Sequence, residues 1–354
     1  MSDDDKPWPE PRANPDLIGH EAAESALVDS LRSGRMPHAW LICGPEGIGK
    51  ATLAFRFARY LLAGATPSTG LFGETKGLDL DPANPAFKRV AAGSHADLLT
   101  VSIGFNPNTG KMRSEIVVED VRGVSNFLHM TPAEGGYRVV VVDSVDAMNR
   151  NAANALLKIL EEPPAQAVLL LVCHAPGRVL PTIRSRCRKL MLHPLGAQAM
   201  DSLLARYLPD VPQTERLSIA ELAEGSPGKA LTLASHGGLD LYKEMMSLIA
   251  NGNGTAIAKF WEKTGRDEEG FRTAASLYLW WLARAIRGIA SGDTQEIVPG
   301  EAAALARIAE AGSLDRLVEL WEKAGRLFAR AESINLERKQ VGLSTFLAFE
   351  NALN

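Results

Sequence analysis

The stretch "CGPEGIGKAT", residues 43–52, lies between an apolar run, "HAWLIC" (38–43), and "KATLAFRFARYLLAG" (50–64), whose apolar residues recur at helical spacing. Strand, glycine-rich turn and helix is the setting in which backbone N–H groups at a helix N-terminus cradle phosphate. Gly44, Gly47, Gly49 and Lys50 keep that pattern, the lysine being the residue that reaches terminal phosphate oxygens. Ala51 breaks it, because the hydroxyl that holds the magnesium of a bound nucleotide is missing. Thr52 does not replace it directly, since one position along a helix is a turn of about 100°. The loop Gly44, Gly47, Gly49, Lys50, Thr52 is therefore a degenerate nucleotide site. Two readings of it are open: a turn that ties helix to strand with no ligand, and a loop with weak residual affinity for ATP or ADP.

Further along, "YRVVVVDSVDAM" (137–148) carries four successive valines, a fully buried strand that ends in Asp143. Asp143 is placed to serve the same site, or to cap the segment after it. Ser144 comes next, and a serine at pH 7 is neither base nor anion, so it offers no general-base assistance of the kind often worth ~10²–10⁴ in rate.

Around these two patterns the chain reads as alternating strands and helices. Residues 20–33 form an amphipathic helix, 65–95 are irregular, 118–129 are helical, and "NRNAANALLKILEEPP" (149–164) is a helix stopped by Pro163 and Pro164. "AVLLLVCHAP" is another buried strand. The alternation predicts a parallel α/β sheet covered on both faces. After His193-Pro194 only helices follow, among them "FRTAASLYLWWLARAIRGIA" and "LDRLVELWEKAGRLFARAE". The stripe around Leu277, Trp280, Trp281 and Arg284 reads as a core-facing helix face or as a contact with a neighbour.

The 354 residues suffice for two or three domains, and 46% hydrophobic with 23% charged residues is ordinary for a globular protein. No apolar run approaches the ~18 residues of a membrane span. The opening "MSDDDKPWPEPRANP" is acidic and proline-rich, unlike a secretory leader, and is expected to be a mobile tail on a cytoplasmic protein. A net charge of −4 supplies no global field toward nucleic acid, although "RVLPTIRSRCRK" (178–189) is locally basic. Cys43, Cys173 and Cys187 have no metal-ligand spacing.

"NALLKILEEPP" (154–164), then a strand, then "LPTIRSRC" (180–187) and "GSPGKAL" (225–231), resemble in order and spacing the AAA+ clamp loaders of bacterial replication, and within them the delta-prime subunits of the DNA polymerase III complex. The similarity covers about Ile18 to Ser235. It implies a degenerate AAA+ P-loop α/β domain over 18–194 behind a tail of 1–17, a small helical lid domain over 195–237, and a helical collar domain for oligomerisation over 238–354. In ATP-hydrolysing relatives a glutamate follows the strand-end aspartate where Ser144 stands, and an arginine senses nucleotide where Gly228 stands. Arg186 matches the arginine finger that reaches the ATP site of a neighbouring subunit. The other reading of Arg186 is an arginine paired with a local carboxylate.

The resemblance thus implies a non-catalytic stator rather than an active ATPase, and rather than a free-standing nucleic-acid-binding protein, which lacks an aromatic-basic platform here. Implied partners are the tau/gamma ATPase subunits and the delta subunit in a hetero-pentamer, with the sliding clamp and primed DNA met through the complex, and no membrane. No catalytic residue is expected in cis. In the zinc-knuckle stretch of many relatives this sequence has Asp81, Asn84 and Phe87 at the cysteine positions, and His95 stands alone, so no zinc and no required cofactor are expected.

Overall fold

The computed structural model describes residues 8–64, 69–70, 73–74, 77–107, 109–252, 254–292, 296–311, 313–334 and 337–353. Contacts group the chain into two compact units: 1–207 with Gly225–Gly228, and 208–224 with 229–354. Of the stretch 195–237, the first thirteen residues and Gly225–Gly228 thus group with the first unit and the rest with the second.

The first unit is built on five parallel strands: β1 (Ala39–Cys43), β4 (Leu98–Ser102), β5 (Arg138–Asp143), β6 (Ala167–Cys173) and β7 (Arg188–Met191), in the order β4-β5-β6-β1-β7. A separate two-stranded pair, β2 (Thr69–Gly70) with β3 (Gly73–Glu74), is antiparallel. The central strands read as unbroken apolar runs because both faces of the sheet are covered. Trp40, Ile42, Val139, Val141, Val168 and Leu170 point to one side, where α1 (Glu21–Arg32) and α2 (Lys50–Leu62) bury them. The alternate residues, Leu41, Val140, Val142, Leu169 and Leu171, face α4 (Val118–His129) and α5 (Arg150–Glu161). This is the two-faced α/β layer that the alternation predicted.

Two parts of this unit differ from the sequence reading. The stretch 65–95 contains a helix, α3 (Pro85–Ala91), capped by Asn84, whose side chain accepts from the Ala86 amide with Pro85 in the first turn. Of the stretch 1–17, expected as a mobile tail, residues 1–7 lie outside the described residues, and Arg12, Asn14 and Pro15 are held against α2. Arg59 donates to the carbonyls of Arg12 (2.8 Å) and Asn14 (2.6 Å), and Arg56 to that of Pro15. Both arginines are almost wholly buried, Arg59 at 1% exposure, and a buried guanidinium needs acceptors, which for Arg59 are these backbone carbonyls.

The same two arginines hold the stretch that follows α2, between residues 77 and 95. The Arg59 guanidinium lies 4.3 Å from the ring centre of Phe87, and Arg56 pairs with Glu24 and Asp79, each at 2.8 Å. Burial beside Arg56 brings the Arg59 pKa down to about 10. Leu78, Phe87 and Val90 are buried. Asp81 accepts from the Ala83 amide and His95 from the Asp97 amide, so neither is turned toward a shared centre. Among the described residues no three His, Cys, Asp or Glu side chains come together as a metal site.

The second unit is helical: α8 (Gln213–Leu222), the end of α9 (Pro227–Ser235), α10 (Gly238–Asn251), α11 (Gly254–Thr264), α12 (Glu268–Ser291), α13 (Glu301–Ala311), α14 (Leu314–Ile334) and α15 (Arg338–Leu353). Its core is aromatic, with Trp261 against Phe260, Phe271 and Phe328, and Trp281 against Phe349. Gly342 permits this packing, since a Cβ there would lie 2.2 Å from the Trp261 ring. Leu277 and Trp281 are buried in this core, while Arg284 pairs with the buried Glu301 (3.3 Å) and with Glu221 (3.4 Å). Within this unit, then, the stripe seen in the sequence is largely a core face. No helix among the described residues is long and apolar enough to cross a membrane.

Candidate functional site

The glycine loop joins the carboxyl end of β1 to α2, at the centre of the sheet. Gly44, Gly47 and Gly49 all have positive φ (152°, 74° and 100°). Gly44 has a steric reason as well: a Cβ there would lie 2.6 Å from the Leu192 carbonyl oxygen. The loop geometry expected from the sequence is present. Its carbonyls are tied to groups of the same unit.

Each of the four loop carbonyls from Pro45 to Ile48 has a partner within this unit. Lys50 is 2% exposed, and its ammonium donates to the carbonyl of Pro45. The Ser226 hydroxyl donates to Glu46 (2.9 Å), the Gly228 amide to Gly47 (2.8 Å), and the His20 ring Nε2 to Ile48 (2.6 Å). The loop is thus fastened by the residue before α1 on one side and by the turn into α9 on the other. A side chain at 228 would crowd the loop, for its Cβ would stand 3.0 Å from Gly47 Cα and 3.1 Å from Gly47 O.

The electrostatics follow burial. The Lys50 pKa is lowered because the ammonium is desolvated, against the pull of Asp143. Asp143, at the end of β5, is raised for the same reason, with His174 and Lys50 opposing. His20 is lowered by burial. Asp146, which the sequence reading passed over, accepts from the amides of His174 (2.8 Å) and Ala175 (3.0 Å) and so fixes the loop after β6 beside Asp143. The Cys43 and Cys173 thiols stand at paired positions of β1 and β6, both free and buried.

The structure places Gly44, Gly47, Gly49, Lys50 and Asp143 at one end of the sheet. Thr52 is buried in the first turn of α2, and Ala51 presents no hydroxyl. Ser144 follows Asp143 with no acid or base to offer. Ala51 and Ser144 supply neither the hydroxyl that would hold magnesium nor a base, and the Lys50 ammonium is bound to its own loop.

Arg186 lies elsewhere in this unit, in the turn between the short helix α6 (Pro181–Arg184) and β7. Its Nη1 donates to the Thr182 carbonyl (3.1 Å), and its Nη2 stands 2.9 Å from Glu161 Oε1 at the end of α5. The carboxylate partner considered from the sequence therefore exists, and the side chain remains 36% exposed. Glu161, His20 and Ser226 were not singled out in the sequence. Only Glu161 carried a local signal, a carboxylate at the C-terminal end of a helix, where the dipole disfavours it. Arg178, Arg184, Arg188 and Lys189, close to Arg186 in the sequence, are exposed, Arg188 lying 5.0 Å over the Trp40 ring.

Comparison with known proteins gives one family, described as the DNA polymerase III delta subunit, whose model matches residues 19–196. The chain is 40% identical over 200 residues to a DNA polymerase III subunit delta' of Pseudomonas aeruginosa, covering 56% of each. It is 36% identical over 207 residues to that of Escherichia coli K12, covering 58% of this chain and 57% of the relative. Similarity to the E. coli subunit tau is 31% over 228 residues, 63% of this chain and 32% of tau. The matched stretch thus spans little more than half the length of the delta' relatives.

Proposed function

This chain belongs to the DNA polymerase III delta-subunit family, and on that premise we propose that it is the delta-prime-type stator of a clamp loader, a rigid subunit that turns over no ATP itself. Its place is in a hetero-pentamer with the tau/gamma ATPase subunits and a delta subunit, in the cytoplasm. There it supports loading of the sliding clamp on primed DNA during replication. The division into an AAA+ domain (18–194), a lid (195–237) and a collar (238–354) belongs to the same reading.

The observation that carries it is the fastened loop. Ala51, Ser144 and Gly228 remove the metal-binding hydroxyl, the base and the nucleotide-sensing arginine, and the carbonyls of residues 45–48 are tied down by the protein's own groups. On this reading the chain requires neither zinc nor nucleotide, and any ATP or ADP binding by the loop is weak. Arg186 acts in trans: its planar, permanently charged fork suits the charge on a phosphoryl group being transferred at a neighbouring subunit's site.

The test is ATP turnover of the purified chain, alone and mixed with tau/gamma and delta. Alone, it should match a buffer blank. Turnover by the chain alone that disappears in Lys50→Ala would overturn the stator reading.

A further inference from the structure

Glu161 is the last residue of α5, with Glu162, Pro163 and Pro164 following. A carboxylate at this end of a helix meets the negative end of the dipole, and two adjacent ones repel each other. Glutamate's helix propensity is met equally by uncharged residues, so its charge at this end is an added cost. What offsets the cost is Arg186, 2.9 Å away. The arginine is curled back rather than extended, since its other terminal nitrogen is bound to the Thr182 carbonyl of its own turn. Both contacts lie at the surface, with side-chain exposures of 36% for Arg186 and 50% for Glu161.

We propose that Glu161 is a positioning residue that parks Arg186 in the resting chain, and that a nucleotide phosphate on the neighbouring subunit displaces it. The proposal rests on Arg186 acting in trans. Two properties make the pair suited to this exchange. It is strong enough to hold a flexible side chain in one place and keep the fork from other acidic groups. It is also weak enough to yield, because exposed ion pairs are worth little, whereas an arginine finger is worth roughly 10³–10⁵ in rate at its own site. Parking then sets how much nucleotide must be bound next door before the arginine changes partner. It does not alter the chemistry after the exchange.

The experiment uses the complex reconstituted with tau/gamma and delta, with DNA- and clamp-stimulated ATPase measured against ATP concentration. Glu161→Gln keeps the shape of the side chain and removes its charge. It should lower the half-saturating ATP concentration by up to about fivefold, the upper limit set by an exposed pair, and leave kcat at saturating ATP unchanged. The double variant Glu161→Gln/Arg186→Ala should behave as Arg186→Ala alone. An unchanged or raised half-saturating concentration in Glu161→Gln overturns the parking role, as does the same shift appearing without Arg186. If Arg186→Ala by itself leaves turnover at the parent's level, the trans role falls first and the parking proposal with it. A melting curve of each variant chain separates these outcomes from loss of fold.

Discussion

The amide of Gly228 donates to the carbonyl of Gly47 over 2.8 Å, and a Cβ at position 228 would lie 3.0 Å from the Gly47 Cα. Position 228 is thus in backbone-to-backbone contact with the glycine loop. Gly228→Arg should therefore not restore nucleotide response. It should lower stability by about 1–3 kcal/mol, the usual cost of overpacking a tight contact. Thermal melting with and without ATP checks both points, and a nucleotide-dependent rise in Tm of the variant would contradict them.

Lys50 is a buried staple on its own loop. Lys50→Ala should destabilise the chain by about 1–3 kcal/mol, through the unpartnered Pro45 carbonyl and the lost packing of the side-chain stem. Denaturant unfolding of the two chains measures the difference. A Lys50→Ala chain as stable as the parent would mean that the lysine is idle in the fold.

His20 gives the loop a pH dependence. Burial holds its folded pKa below the unfolded value of 6.5, so between the two the unfolded chain binds the extra proton. Stability is then complete above pH 6.5 and falls as pH drops from 6.5 toward the folded pKa. The buried His95 is shifted in the same direction and adds to the effect. His20→Gln should flatten part of this decline. Melting temperatures from pH 7.5 down to 5 would show it, and identical profiles would contradict it.

The arginine-held region after α2 should be indifferent to chelators, with an unchanged Tm in excess EDTA. Phe87→Ala, by contrast, removes the ring beneath Arg59 and a buried core residue, and should cost about 3–5 kcal/mol. A chelator-induced fall in Tm would reveal a metal site that includes residues beyond those described.

Arg186→Ala should leave the chain folded within ~0.5 kcal/mol, because its ion pair is exposed. The stimulated ATPase of the assembled complex should fall in part, one site going nearly silent while others keep their own arginines. Turnover equal to the parent's would reduce Arg186 to a surface arginine.

The sequence by itself determined the middle of the sheet and the helices that cover it. β1, β5 and β6 are unbroken apolar runs, α2, α4 and α5 carry apolar residues at helical spacing, and the glycine loop is a local pattern that needs no distant partner. The edge strands escaped it. β7, "RKLM", buries only Leu190 fully, and β4, "LLTVS", only Val101, so neither shows the continuous run or clean alternation that marks a strand. The state of the loop was decided by tertiary structure alone. Ser226 reaches Glu46 from 180 residues away and His20 reaches Ile48 from 28, while Arg59 takes carbonyls of residues 12 and 14 and Arg186 meets Glu161. Periodicity records which face of an element is apolar. A hydrogen bond between a side chain and a distant backbone carbonyl leaves no such trace, because every residue has that carbonyl and only the fold brings one of them within 3 Å.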